Sequence, residues 1–229
     1  MQKYFYYAAM MTISSCLFGQ SQALIGSTQQ QFGRQGFFGT LMDTKATNTT
    51  IDGSPYINEN WKQGKLYLQN EVEVDVELLN YNVFEGSLTY VENNREYLIS
   101  TYTDLKSFTL GNEDFVYLYT DHSKDIYKLL SDGPIKLLKR YYCRIMLGMD
   151  SKGVTVATND KYMMNDELYV QKEGLQPEEF KTRKKDLFKL MRDKEDKVEA
   201  YIDEMNLNVN KESDLITIFD YYNQISSIQ

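Results

Sequence analysis

His122 is the single histidine of the 229-residue chain, and it stands between Asp121 and Ser123. Those side-chain types could supply the nucleophile, base and acid of a hydrolytic triad, which must converge in space with the acid orienting the base. Consecutive residues of a turn point in different directions, and no G-x-S-x-G elbow occurs, so the tripeptide reads as a polar turn between strands. With one His and two Cys, a transition-metal site of the usual His/Cys type is not expected. Calcium needs only oxygen, which directs attention to Glu71, Glu73, Asp75 and Glu77. On a strand these carboxylates recur about every 7 Å, too far apart for most of them to share an ion. They read instead as a solvated face lying opposite Lys or Arg of the next strand. Asn58-Glu59-Asn60 is a weaker oxygen cluster and lacks the EF-hand pattern. Neither G-x-x-x-x-G-K nor G-x-G-x-x-G occurs, and no catalytic, cofactor or metal residue is nominated. The enzyme these residues still permit is a carboxylate-only hydrolase, since two acids suffice for glycoside hydrolysis.

Binding chemistry has more candidates. Trp61, Tyr117 and Tyr119 are the rings that would contact a sugar if exposed; buried, Tyr117 and Tyr119 are core, aligned with Phe115 on one strand face. The basic residues Lys181, Arg183, Lys184, Lys185, Lys189 and Arg192 could touch phosphate or anionic lipid. Asp186, Asp193, Glu195, Asp196 and Glu199 interrupt or follow them, and mixed signs of this kind mark a solvated helix face, with Glu179–Arg183 and Asp193–Lys197 in the favourable i,i+4 order. A net charge of −8 argues against a nucleic-acid partner, which requires clustered cations.

The elements that must position these residues follow from periodicity. Val72, Val74, Val76 and Leu78 alternate with the four carboxylates, a period of two that buries one face and wets the other. Further strands are expected at residues 65–69, 83–91, 96–100, 103–110, 115–120, 126–130, 135–146, 154–158 and 168–171. Asn93-Asn94, Gly111-Asn112 and Ser131-Asp132-Gly133-Pro134 supply the turns. After Pro177 the period changes. Glu178 and Glu179 suit a helix start, and Phe180, Leu187, Met191, Val198, Ile202 and Met205 form one apolar stripe, with a break expected at 192–194. Asn210 is placed to cap a last helix whose stripe is Leu215, Ile218, Phe219, Tyr222 and Ile225. The expected class is α+β: an antiparallel β-rich body (meander, sandwich or partly open barrel) followed by two or three helices.

The first 23 residues read as a cleavable export signal. Lys3 gives the positive start, Tyr4 to Gly19 an uncharged, largely apolar run, and Ser21-Gln22-Ala23 the small residues before cleavage. Ile13-Ser14-Ser15-Cys16 also resembles a lipoprotein box, so a lipid anchor at Cys16 stays an alternative. No other segment is long and apolar enough to span a bilayer. Cleavage after Ala23 leaves Cys143 as the one thiol, set among apolar neighbours and read as a small buried residue. The expected organisation is signal 1–23, lead 24–55, β-rich domain 56–172 and helical segment 173–229.

GSPYINENWKQGKLYL from Gly53, GPIKLLKRYY from Gly133, Leu168 to Gln171, KKDLFKLMRDKEDKVEAYI and SDLITIFDYYNQI form a layout that resembles an uncharacterised family of secreted and periplasmic proteins of Bacteroidota-type bacteria. The resemblance implies export and a mixed β-plus-helix fold, and it brings no functional residues. The functional expectation is an exported envelope protein acting as a non-enzymatic protein-interaction module. A carbohydrate-binding module using Trp61, Tyr117 and Tyr119 and a carboxylate-only hydrolase are the alternatives.

Overall fold

The computed structural model describes residues 29–32, 37–41, 51–99, 105–120, 123–148 and 159–227. The expected signal with Cys16, the Asp121-His122 pair and the expected strand 154–158 lie outside the described residues. The fold is α+β: one antiparallel sheet followed by three helices. Its strands are β1 (Gln29–Phe32), β2 (Phe37–Leu41), β3 (Lys62–Leu68), β4 (Glu73–Asn82), β5 (Ser87–Glu92), β6 (Arg95–Ile99), β7 (Leu105–Leu110), β8 (Glu113–Tyr119), β9 (Lys124–Ser131), β10 (Ile135–Met146), β11 (Lys161–Lys172) and β12 (Glu178–Glu179). The helices are α1 (Lys184–Leu190), α2 (Glu195–Glu204) and α3 (Glu212–Ser226). No helix among the described residues is long and apolar enough to cross a membrane.

The strands run in space as β1-β2-β6-β5-β4-β3-β7-β8-β9-β10-β11-β12, so most neighbours are also neighbours in sequence. Short turns produce this meander. Asn93 and Asn94 both adopt positive φ, 50° and 59°, between β5 and β6, a backbone Asn tolerates. The sheet curls over its own face: Phe84, at the β4–β5 turn, packs edge-on against Tyr162 of β11 with centroids 5.5 Å apart, although many strands separate them in the sheet. Leu66, Leu79, Tyr81, Leu88, Tyr90, Phe108 and Phe115 fill the concave face. Phe108 and Phe115, directly opposed in the β7–β8 register, stack at 4.8 Å.

A second apolar cluster lies at the β10–β11 end of the sheet. Ile135, Leu137 and Val170 meet Phe180, Leu187, Met191, Val198, Ile202, Leu215, Ile218 and Phe219 there. The helical stripe therefore covers the strand ends that would otherwise face water.

Several local expectations change. Leu78 is 41% exposed and Leu79 fully buried, because β3 and β4 slip register between Lys62 and Gly64. Lys62 faces Leu79 while Gly64 faces Val76, so β4 carries one extra residue and its alternation inverts. The expected strand 83–91 starts late: residues 83–86 form a turn in which Gly86 takes φ +66°, and the strand runs from Ser87. Glu178 and Glu179 form β12 instead of a first helical turn: they register with Val170 and Tyr169. The expected break at 192–194 is a 3₁₀ turn. Met205 ends 54% exposed, past the last buried position of α2. Lys211, not Asn210, occupies the N-cap of α3. Arg183 pairs with Asp186 rather than Glu179. The β4 carboxylates do face a cation, with Lys65 Nζ 2.9 Å from Glu73 and 3.7 Å from Asp75.

Candidate functional site

The end of the sheet and the first helix enclose an open groove of about 500 Å3. Val170, Leu175, Phe180 and Leu190 give it apolar surface, and Lys172, Lys189, Arg183 and Glu179 stand among its charged walls. Local sequence shapes it. After β11, the turn at Lys172–Leu175 closes with the Leu175 N–H donating to the Lys172 carbonyl at 3.0 Å, while Gly174 supplies φ +73°. The Gln171 amide donates to the Leu175 carbonyl at 3.0 Å, pinning the same residue. Leu175, 58% exposed, is thus held by its backbone at the groove.

Two of the groove's cations are engaged: Arg183 Nε lies 2.5 Å from Asp186, and Lys181 Nζ 3.9 Å from Glu179. Lys172 and Lys189 make no ion pair among the described residues. The three carboxylates of the groove are Glu178, Glu179 and Asp186. Glu178 and Glu179 are exposed, and Glu179 and Asp186 sit beside cations. That is the reverse of the apolar enclosure a general-acid carboxyl needs.

Behind the groove, two polar devices fix the helices to the sheet. Asn223 of α3 is 5% exposed and treats Ile135 as a neighbouring strand would. Its Oδ1 accepts the Ile135 N–H at 3.1 Å and its Nδ2 donates to the Ile135 carbonyl at 2.9 Å. The same Nδ2 lies 3.1 Å from the Asp132 carbonyl and 3.2 Å from Ser131 Oγ. Gly133 permits this approach, for a Cβ there would fall 2.5 Å from Asn223 Cγ. The second device is Lys139 of β10, whose ammonium pairs with Glu212 at the start of α3 and lies 3.6 Å from Asp166. Burial works to lower the Lys139 pKa, but the hydrogen bond to Glu212 and the surrounding negative charge hold it above its usual value, so it stays a cation. An amine nucleophile needs the opposite shift.

The three aromatic candidates are not brought together. Tyr117 faces inward, its ring 6.0 Å from Phe108, and burial pushes its hydroxyl well above the usual tyrosine range. Lys124 Nζ lies 4.7 Å from the centre of the Tyr117 ring and 5.3 Å from that of Tyr119, so a cation of the chain itself occupies both rings. Tyr119 is 65% exposed. Trp61 packs on Tyr56 at 5.4 Å, and Tyr56 donates its hydroxyl to Glu96. The β3–β7–β8 registers put Trp61 beyond one end of these strands and Tyr119 at the other, roughly 30 Å apart along the strand direction. Cys143 is partly buried, and burial raises its thiol pKa, which makes it a poor nucleophile. Among the described residues no cluster of His, Cys, Asp and Glu could hold a metal ion.

The groove was not legible as a site in advance. Its residues come from a strand end, a turn, an edge strand and a helix, and the segment 176–179 reads as helix start in the sequence. The one local signal was Leu175, an apolar residue in a polar turn beside Gly174. Comparison with protein-family models, with curated proteins and with solved structures returned no match.

Proposed function

We propose that the chain is an exported, non-enzymatic interaction module of the cell envelope, and that it docks a protein partner in the groove between β12 and α1. The observation that carries this reading is Leu175, 58% exposed yet with its backbone held by the Lys172 carbonyl and the Gln171 side-chain amide, at a groove with apolar surface. Apolar surface ringed by charge has the layout of an interface, an apolar centre with a polar rim. Lys172 and Lys189, without an ion pair among the described residues, favour a partner that brings carboxylates to that rim.

The test is mild crosslinking of the tagged full chain in its own envelope, with Leu175→Asp and Lys189→Glu run in parallel. The wild type should capture one stoichiometric protein, and each substitution should cut capture at least tenfold with the far-UV CD spectrum unchanged. Equal capture by the wild type and both variants, or no stoichiometric protein with any of them, would overturn the reading.

A further inference from the structure

We infer that the occupant of the groove is an extended segment of the partner protein that adds to β12 as a further strand; this rests on the groove being the docking site. The argument begins with backbone parity. The Phe180 N–H donates to the Leu168 carbonyl at 2.8 Å, and Glu178 registers with Val170. Glu178 and Phe180 therefore turn their peptide groups toward β11. Alternation along the strand turns the N–H and C=O of Glu179, and the N–H of Lys181, to the other side. No described residue pairs with them there. Glu179 and Lys181 line the groove, and so do Arg183, Asp186, Lys189 and Leu190 at and along α1.

A sheet edge with free donors and an acceptor thus borders a groove that Val170 and Lys172 of β11 and residues of α1 also line. An extended backbone is the ligand whose own N–H and C=O groups complement such an edge, while its side chains reach the apolar surface and the rim. Free edges are normally blunted, here by the two-residue length of β12 and the charges on Glu178 and Glu179. Those features discourage a long hydrophobic strand and suit a short segment. The side chains of that segment are an apolar residue against Leu175 and Leu190, and a carboxylate within reach of Lys172 or Lys189.

The experiment screens the labelled full chain against a bead library of acetylated, amidated octapeptides. The enriched peptide is resynthesised with one N-methyl group at a time, and each version is titrated into wild type and Leu175→Asp. Strand addition predicts one sensitive position, the residue whose N–H meets the Glu179 carbonyl: N-methylation there weakens binding at least tenfold, N-methylation of its two neighbours, whose N–H groups point away, hardly at all, and Leu175→Asp weakens all versions. Sensitivity to Leu175→Asp with no such N-methyl-sensitive position would overturn strand addition and leave groove docking standing. No enriched peptide, or binding indifferent to Leu175→Asp, would overturn both. Concentration-dependent dimerisation of the chain, abolished by Leu175→Asp, would replace the partner with a second copy.

Discussion

Asn223 does at the residue scale what an extra strand would do for the end of β10. A single side-chain amide satisfies both backbone groups of Ile135 and reaches the turn before it, within a helix face that is otherwise apolar. Removing it leaves a buried donor and acceptor unpaired, each costing about 1–3 kcal/mol. Asn223→Ala is therefore expected to lower stability by about 3 kcal/mol in urea unfolding. Asn223→Asp should do at least as much harm, since a carboxylate cannot donate to the Ile135 and Asp132 carbonyls. A loss below about 0.5 kcal/mol for the alanine variant would refute the clamp. Nothing in the sequence announces this residue. An Asn among Tyr222, Gln224 and Ile225 reads as a polar position on an amphipathic helix, and its partner lies 88 residues away. Gly133 was legible as a turn residue, but not the closeness of Asn223 that forbids a side chain there.

At the scale of elements, the start of α3 is held from within the helix. Lys211 sits at the N-cap without a side-chain cap, and Asp214, in the first turn, accepts the Asn208 N–H at 3.1 Å and pairs with Lys211 at 3.0 Å. The Asn208 amide, followed by Lys211, lowers the Asp214 carboxyl below its ordinary 3.8. A group with a depressed folded pKa stabilises the fold above its unfolded value and loses that contribution as pH falls through the folded one. Asp214→Asn should consequently melt below wild type at pH 6, and the two melting curves should converge as pH falls from about 4 toward 2. A gap that is constant with pH would show that the ionised carboxylate is not what holds the helix start. Elements were legible where local pattern and tertiary demand agree, as in β10, which runs over the expected 135–146, and in the Asn93-Asn94 turn. They were misread where pairing overrode local pattern. The bulge opposite Lys62 inverts the alternation of β4, and an edge of β11 in need of partners draws Glu178 and Glu179 out of helix.

For the whole molecule, the central fact is that two hydrophobic clusters share two strands. β10 gives Ile135 and Leu137 to the helical cluster and packs Tyr141 and Cys143 against the cluster on the concave face of the sheet; β11 likewise gives Val170 to one and Met164 to the other. Lys139 and Asp166 stand between, tied to Glu212 of α3. Strands continuous through both clusters cannot lose one without exposing apolar surface of the other, and Asn223 bonds the helices to the very turn that starts β10. The chain should therefore unfold as one cooperative unit despite its β-then-α layout. Two probes separate the halves: the single Trp61 lies just before β3 in the sheet, and the helices, confined to residues 184–226 among the described residues, dominate the CD signal at 222 nm. Followed together through urea, fluorescence and CD should give superimposable transitions. In Lys139→Ala both should shift to lower urea together. Helical signal lost at lower urea than fluorescence would mean that the helices are an appendage, and that the shared strands do not couple the two cores. The coupling also bears on the groove, whose walls are a strand end and a helix. A partner bound between them would raise both transitions equally, because it would stabilise the one folded state they share.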